Sequence, residues 1–208
     1  PEVIETCEPP LIAIRKKVNS SLIKGLLAVK SGEADAFISA GSTGAVMAGA
    51  LFKVGRIKGI DRPALAPVLP TRTGKALLID VGANADCEVK FLEQFALMGS
   101  AYMELVEGVD NPRVGLVNIG VEEEKGSKLY KDTFKSMKVM KGINFVGNIE
   151  ARDTTEGLAD VLVCDGFTGN IILKTLEGLA TYLFSMIKEQ IMKNGIRKFG
   201  YILMKNGF

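Results

Sequence analysis

The sequence predicts a doubly wound α/β fold, with a mostly parallel sheet and helices on both faces. Three observations carry this expectation. Apolar runs of strand length alternate with longer segments of helical period. The runs are continuous in Val, Ile and Leu, as in strands buried on both faces. They end in Gly, Asn, Asp or Ser, the residues found where strands turn into helices.

In chain order, "PEVIE" at Pro1 reads as a strand already under way, and "DAFIS" as the next. The run from Thr43 to Val54 reads as a helix. Pro63, Pro67 and Pro70 in "RPALAPVLPT" break regular structure and give an extended crossing segment. "ALLIDV" is a strand. Phe91, Phe95, Met98, Tyr102, Leu105 and Val106 then recur at three- and four-residue steps, the face of one helix. "VGLVNIG" is a strand, and Ser127 to Met140 an exposed, Lys-rich helix. "INFVGNI" and "ADVLVCDG" are strands, and a long helix follows from Thr168 to about Met192. Residues 1–192 are thus expected to form one α/β catalytic domain, truncated at its amino end. Residues 193–208 are expected to form a basic amphipathic helix facing a membrane or a dimer partner. From Lys188 to Phe208, Lys188, Lys193, Arg197, Lys198 and Lys205 are interleaved with Ile196, Phe199, Ile202 and Leu203.

Composition narrows the function. A net charge of +2, from 26 basic and 24 acidic residues, does not suggest nucleic-acid binding. The cysteines, Cys7, Cys87 and Cys164, are dispersed and form no CxxC pair, which fits a reducing, cytoplasmic setting. No apolar run is long enough to span a membrane. The chain has no histidine, so it cannot supply a Ser-His-Asp or Cys-His system. No glycines are spaced as in the dinucleotide fingerprint or the Walker loop.

In folds of this class, ligands sit beyond the carboxyl ends of the strands. Ser39, Asp80, Asn84, Asn118 and Asn148 are expected to line such a cleft. Asp80, Asn84 and Asp86 also have the chemistry of Mg²⁺ ligands; the alternative is a polar loop near the site. A repeat sharpens the picture. "ADAFISAGSTGAVMAGAL" from Ala34 overlays "ADVLVCDGFTGNIILKTL" from Ala159 at an offset of 125 residues. Gly41-Ser42-Thr43-Gly44 then matches Gly166-Phe167-Thr168-Gly169. Gly41 and Gly166 suit tight turns, Thr43 and Thr168 suit helix caps, and free amides at two helix starts suit phosphate or an oxyanion. Asp165, Asn170 and Lys174 flank the second loop and are the candidate catalytic residues. Cys164, at the strand end equivalent to Ser39, reads as a small buried residue rather than a nucleophile.

The segments "SAGSTGAVMAGALFKVGRIKGIDRPALAPVLPT", "LIDVGANADC", "VGLVNIGVEEEKG", "INFVGNIEARD" and "ADVLVCDGFTGNIILKTLEG" together resemble the bacterial phosphate acyltransferases of phospholipid synthesis, the PlsX family. The likeness runs from about Glu2 to Lys188. At Ser42 the family more often carries Asn. Its usual amino-terminal strand and Gly-Gly-Asp segment, and its carboxyl-terminal sheet portion, are not in this sequence. The resemblance implies a fold akin to phosphate acetyltransferases and the isocitrate-dehydrogenase-like group. It implies transfer of a long acyl chain from acyl carrier protein to inorganic phosphate by a cytoplasmic homodimer attached peripherally to the membrane. It implies neither metal nor cofactor, so that Asp80, Asn84 and Asp86 form a polar loop. Lys53, Arg56, Lys58 and Arg62, opposed only by Asp61, would suit the acidic carrier protein. Two other readings remain open: a non-catalytic module that binds phosphate or acyl groups and docks on membranes, and a metal- and NAD-dependent dehydrogenase of the related fold.

Overall fold

The computed structural model describes residues 2–207. Pro1, the expected start of the "PEVIE" strand, and Phe208, the end of the amphipathic segment, lie outside the described residues.

Five strands form one sheet in the order β1-β2-β5-β3-β4. They are β1 (Val68–Thr71), β2 (Gly74–Ile79), β3 (Arg113–Asn118), β4 (Asn144–Glu150) and β5 (Val161–Val163). β2, β5, β3 and β4 run parallel. β1 is antiparallel to β2, so the proline-rich segment ends as an edge strand and not only as a crossing. Pro70 is tolerated because an edge strand has one side free of ladder bonds.

Successive residues of each strand point to opposite faces, and both faces are buried. Leu77, Ile79, Val114, Leu116, Val161 and Val163 pack under α4 (Val89–Leu105) and α5 (Lys128–Val139). Leu92, Phe95 and Met103 of α4 meet them, with Phe134 and Met137 of α5. Each such side chain contributes roughly 1.5–3 kcal/mol by leaving water. Leu78, Val117, Ile149 and Leu162 face the other way, against Ile172 of α6 (Gly166–Met192). The expected α/β sandwich is therefore present.

A third cluster stands apart from the two on the sheet. It joins Ile4, Ala13, Ile14, Leu22, Ile23, Leu26 and Ala45. These come from α1 (Pro10–Lys16), α2 (Ser21–Ser31) and α3 (Thr43–Gly49), the last continuing as a π-helical stretch to Val54. Sequence periodicity had flagged neither α1 nor α2. α1 opens on Pro10, which suits a first helical position. α2 is capped by Ser20 and closes on left-handed Gly32.

Two expected strands are corrected. "DAFIS" is irregular and pairs with no strand among the described residues. Its apolar residues pack locally or not at all. Phe37 lies against Gly25 of α2, and Ile38 is 94% exposed. β-propensity makes a strand only where a neighbour completes the ladder. Among its described residues, "PEVIE" makes one bridge, between Glu2 and Ser20.

α6 is buried only near its start, at Gly166, Gly169 and Ile172. Its outer turns expose Tyr182, Phe184 and Ile187. α7 (Gly195–Met204), capped by Asn194, folds back against it and exposes Ile196, Phe199 and Leu203. No helix among the described residues is long and apolar enough to cross a membrane.

Candidate functional site at the carboxyl edge of the sheet

Because β2 to β5 run parallel, their carboxyl ends share one edge. Asp80–Asn84, Asn118, Asn148 and Asp165 all lie at that edge, as the turn chemistry suggested. Ser39 and Gly41, expected at such a strand end, follow no strand among the described residues.

Asp80 is fully buried. Its carboxylate accepts from the amides of Leu65 (3.0 Å), Ala83 (3.1 Å) and Asn84 (2.7 Å), and from Asn84 Nδ2 (2.9 Å). Four donors leave it little capacity for a metal. It acts as the anchor of the loop after β2. Asn84 extends this anchor, with Nδ2 also donating to the Pro63 carbonyl (2.8 Å). The Asn84 carbonyl accepts from the Gly166 amide at 2.7 Å. Asn118 and Asn148 are buried and bonded to each other (3.2 Å). Asn118 also donates to the Lys125 carbonyl (3.1 Å) and Asn148 to that of Glu122 (2.8 Å). The pair thus fastens the "EEEKG" turn that leads into α5.

Asp165 caps α6. Its Oδ1 accepts from the Thr168 amide (2.8 Å) and its Oδ2 from the Thr168 hydroxyl (2.9 Å). The Tyr130 hydroxyl donates to Oδ2 at 2.5 Å, and accepts from the Asp165 amide at 3.2 Å. Burial pushes the Tyr130 phenol well above its ordinary value, and the Asp165 hydrogen bond pushes the same way, so Tyr130 keeps its proton. A cleft of about 380 Å³ opens here, lined by Ala85, Asp86, Cys87, Tyr130, Asp165 and Phe167 among others. Burial and the carboxylates nearby push the Cys87 thiol up to about 11. Cys164 is fully buried, donates to the Asp80 carbonyl (3.4 Å), and has its thiol raised well above the ordinary value by burial. It is a packing residue, as expected.

The two glycine loops are built differently. Thr43 and Thr168 were expected to cap their helices; the caps are Ser42 and Asp165. A cap is the residue whose side chain reaches forward to the third helical amide. Ser42 does this to Ala45 at 3.4 Å, and Asp165 to Thr168. The second helix therefore starts two residues earlier in the aligned motif than the first. In the second loop, glycine is demanded by protein backbone. A Cβ on Gly166 would fall 2.7 Å from the Asn84 carbonyl oxygen, and one on Gly169 1.9 Å from that of Asp80. In the first loop, Gly44 packs on the Pro10 ring and the Gly41 amide donates to Ser39 Oγ (3.1 Å). Among the described residues, no hydrogen bond joins the two loops.

Asn170 is exposed at the beginning of the second turn of α6, beside Gly82. Lys174 lies a turn further and pairs with Glu177 (2.8 Å). Tyr130 was missed by the sequence reading. Its only signal is a phenol in the first turn of a helix that starts at the sheet's carboxyl edge. In the basic stretch, Arg56 donates to the Asp61 carbonyl (2.6 Å), Arg62 stacks over Phe91, and Lys58 is exposed. Lys90 pairs with the Asp61 carboxylate (2.6 Å), so the acid opposing this patch is neutralised from α4.

The mostly parallel α/β architecture is shared with a solved structure. The EutD phosphotransacetylase from Staphylococcus aureus superposes with a TM-score of 0.61 at 19% identity, over 86% of this chain and 67% of that one. That likeness shows the fold. The family model described as "Fatty acid synthesis protein" matches residues 1–208, and the chain belongs to this family. Curated relatives named "Phosphate acyltransferase" include one from Clostridium tetani, 56% identical over 207 residues. Another, from Thermoanaerobacterium thermosaccharolyticum, is 52% identical over 206 residues. Each alignment covers essentially the whole chain (100% and 99%) and 62% of the relative, so the chain spans about three fifths of their length.

Proposed function

We propose that the protein containing this chain transfers a long acyl group from acyl carrier protein to inorganic phosphate, giving acyl phosphate for phospholipid synthesis. The observation that carries this is full-chain likeness to relatives named phosphate acyltransferase, on a chain whose carboxyl-edge cleft offers fixed polar groups and no histidine. Phosphate suits such a site. It is already substantially dianionic near neutral pH and needs no strong base to attack a thioester. A phosphate oxygen adds to the thioester carbon, the tetrahedral oxyanion collapses, the C–S bond breaks, and the thiolate leaves to take a proton from water. Proximity supplies about 7–11 kcal/mol of such a barrier, and one oxyanion donor about 2.7–4 kcal/mol.

In this scheme Asp165 orients the nucleophile, Asn170 donates to the oxyanion and Lys174 meets the phosphate charge. Gly166, Thr168 and Gly169 form the wall at the start of α6; their amides, expected to be free, are bonded to Asn84 and Asp165, so they shape the site while Asn170 and Lys174 supply the donors. Gly41, Ser42, Thr43 and Gly44 enter as a second wall on the strength of the repeat. Lys53, Arg56, Lys58 and Arg62 receive the acidic carrier protein. The exposed apolar face of α6 and α7 serves a second copy of the chain, with peripheral membrane contact from a cytoplasmic protein. The test mixes full-length protein, acyl-acyl carrier protein and phosphate, and follows free thiol. Thiol release that depends on phosphate is the expected result. Phosphate binding without turnover would favour a non-catalytic module, and hydride transfer to NAD a dehydrogenase; either overturns the reading.

A further inference from the structure

One side chain ties the start of α6 to the start of α5, and the scheme above gives it no role. Tyr130 sits in the first turn of α5, its ring partly buried against the sheet core beneath that helix. Its hydroxyl contacts Asp165 twice, donating to the carboxylate and accepting from the residue's own amide. A two-point contact fixes both the backbone and the side-chain rotamer of Asp165. The ring is a stiff reference because it has two rotatable bonds and is held by core packing. Thr168 holds the same carboxylate from within α6, so among the described residues only Tyr130 brings a separate element to it. Both residues line the same cleft.

We infer that Tyr130 is a positioning residue, which aims the Asp165 carboxylate and sets the spacing between the two helix starts that bound the cleft. This rests on the acyl-transfer reading, in which Asp165 orients phosphate. Misplacing a reacting group by about 1 Å can cost about a hundredfold in rate, so a hydroxyl that never touches substrate can still matter.

The test is Tyr130→Phe in the full-length protein, which keeps the ring and removes the hydroxyl. Thiol release is measured against phosphate and against the acyl carrier thioester separately. kcat is expected to fall roughly tenfold or more, with KM for the thioester held within about twofold. In an Asp165→Ala background the same change costs far less than in the parent, because most of its effect runs through that side chain. Amide exchange at Thr168, followed without substrate, is expected to quicken in Tyr130→Phe. Full activity in Tyr130→Phe overturns the inference, and so do losses that multiply in the double variant. If the unsubstituted protein releases no thiol, the reaction falls. Tyr130 is then judged by exchange, and an unchanged rate at Thr168 overturns its hold on Asp165.

Discussion

The loops at Gly41–Gly44 and Gly166–Gly169 share a four-residue pattern and a flanking Ala-Asp, yet they occupy different kinds of structure. The first leaves an irregular segment, enters a seven-residue helix and packs in the amino-terminal helical cluster. The second leaves a central parallel strand, enters a 27-residue helix and interlocks with the backbone of Asp80 and Asn84. The motif specifies a helix start in both places. What the start can do depends on which backbone lies across from it, and the motif does not encode that.

The largest expected difference lies at the last glycine of each motif. Gly169→Ala drives a Cβ to 1.9 Å from the Asp80 carbonyl oxygen, and backbone cannot step aside cheaply. The expected cost is about 3 kcal/mol or more. Gly44→Ala meets only the Pro10 ring at 2.9 Å, and alanine's better helix propensity offsets about 1 kcal/mol of that contact. Denaturant midpoints of the two variants should separate widely. Equal midpoints would mean that the loops are packed alike.

The caps differ less. Asp165→Ala removes the acceptor for the Thr168 amide and the Tyr130 hydroxyl, and should cost about 2 kcal/mol. Ser42→Ala gives up a single bond of 3.4 Å, for which about 0.5 kcal/mol is expected. Thermal unfolding of both variants checks the order, and a reversed order breaks the comparison.

The smallest contrast lies at the shared aspartates. Asp160 accepts from the Arg113 amide (2.8 Å) and from its guanidinium at Nε (3.0 Å) and Nη2 (2.9 Å). Burial raises its carboxyl, but the Arg113 hydrogen bonds outweigh that and leave it lowered. A lowered carboxyl adds stability above the ordinary carboxylate value of about 4, and that stability fades as pH falls through the folded value. Asp160→Asn should therefore cost about 1 kcal/mol at neutral pH and flatten the loss of stability in acid. Asp35 is exposed and makes no hydrogen bond among the described residues, so Asp35→Asn should stay within about 0.5 kcal/mol of the parent throughout. Urea titrations at neutral and acidic pH measure both.

The central strands were legible because burial on both faces leaves runs such as "ALLI" and "VLV", and α4 because its apolar residues keep helical spacing over four turns. Asp80, Asn84, Asn118, Asn148 and Asp165 were legible as strand-end residues, since a parallel sheet collects its carboxyl ends at one edge. "DAFIS" misled because its composition suits a strand, whereas pairing depends on a neighbour. The role of Tyr130 could not be read from its surroundings in sequence. It meets Asp165 across 35 residues, through the docking of α5 on the sheet. The glycine pattern likewise concealed that Gly166 and Gly169 face protein backbone.

The most direct test of the account is a crystal structure of the full-length protein with phosphate bound. The expected result is an anion at the start of α6, within hydrogen-bond reach of Asn170 and bordering the cleft beside Asp165. A second contact at the Ser42–Gly44 loop would extend the site to both halves of the repeat. An anion bound at the first loop alone, or away from the sheet's carboxyl edge, would contradict the account.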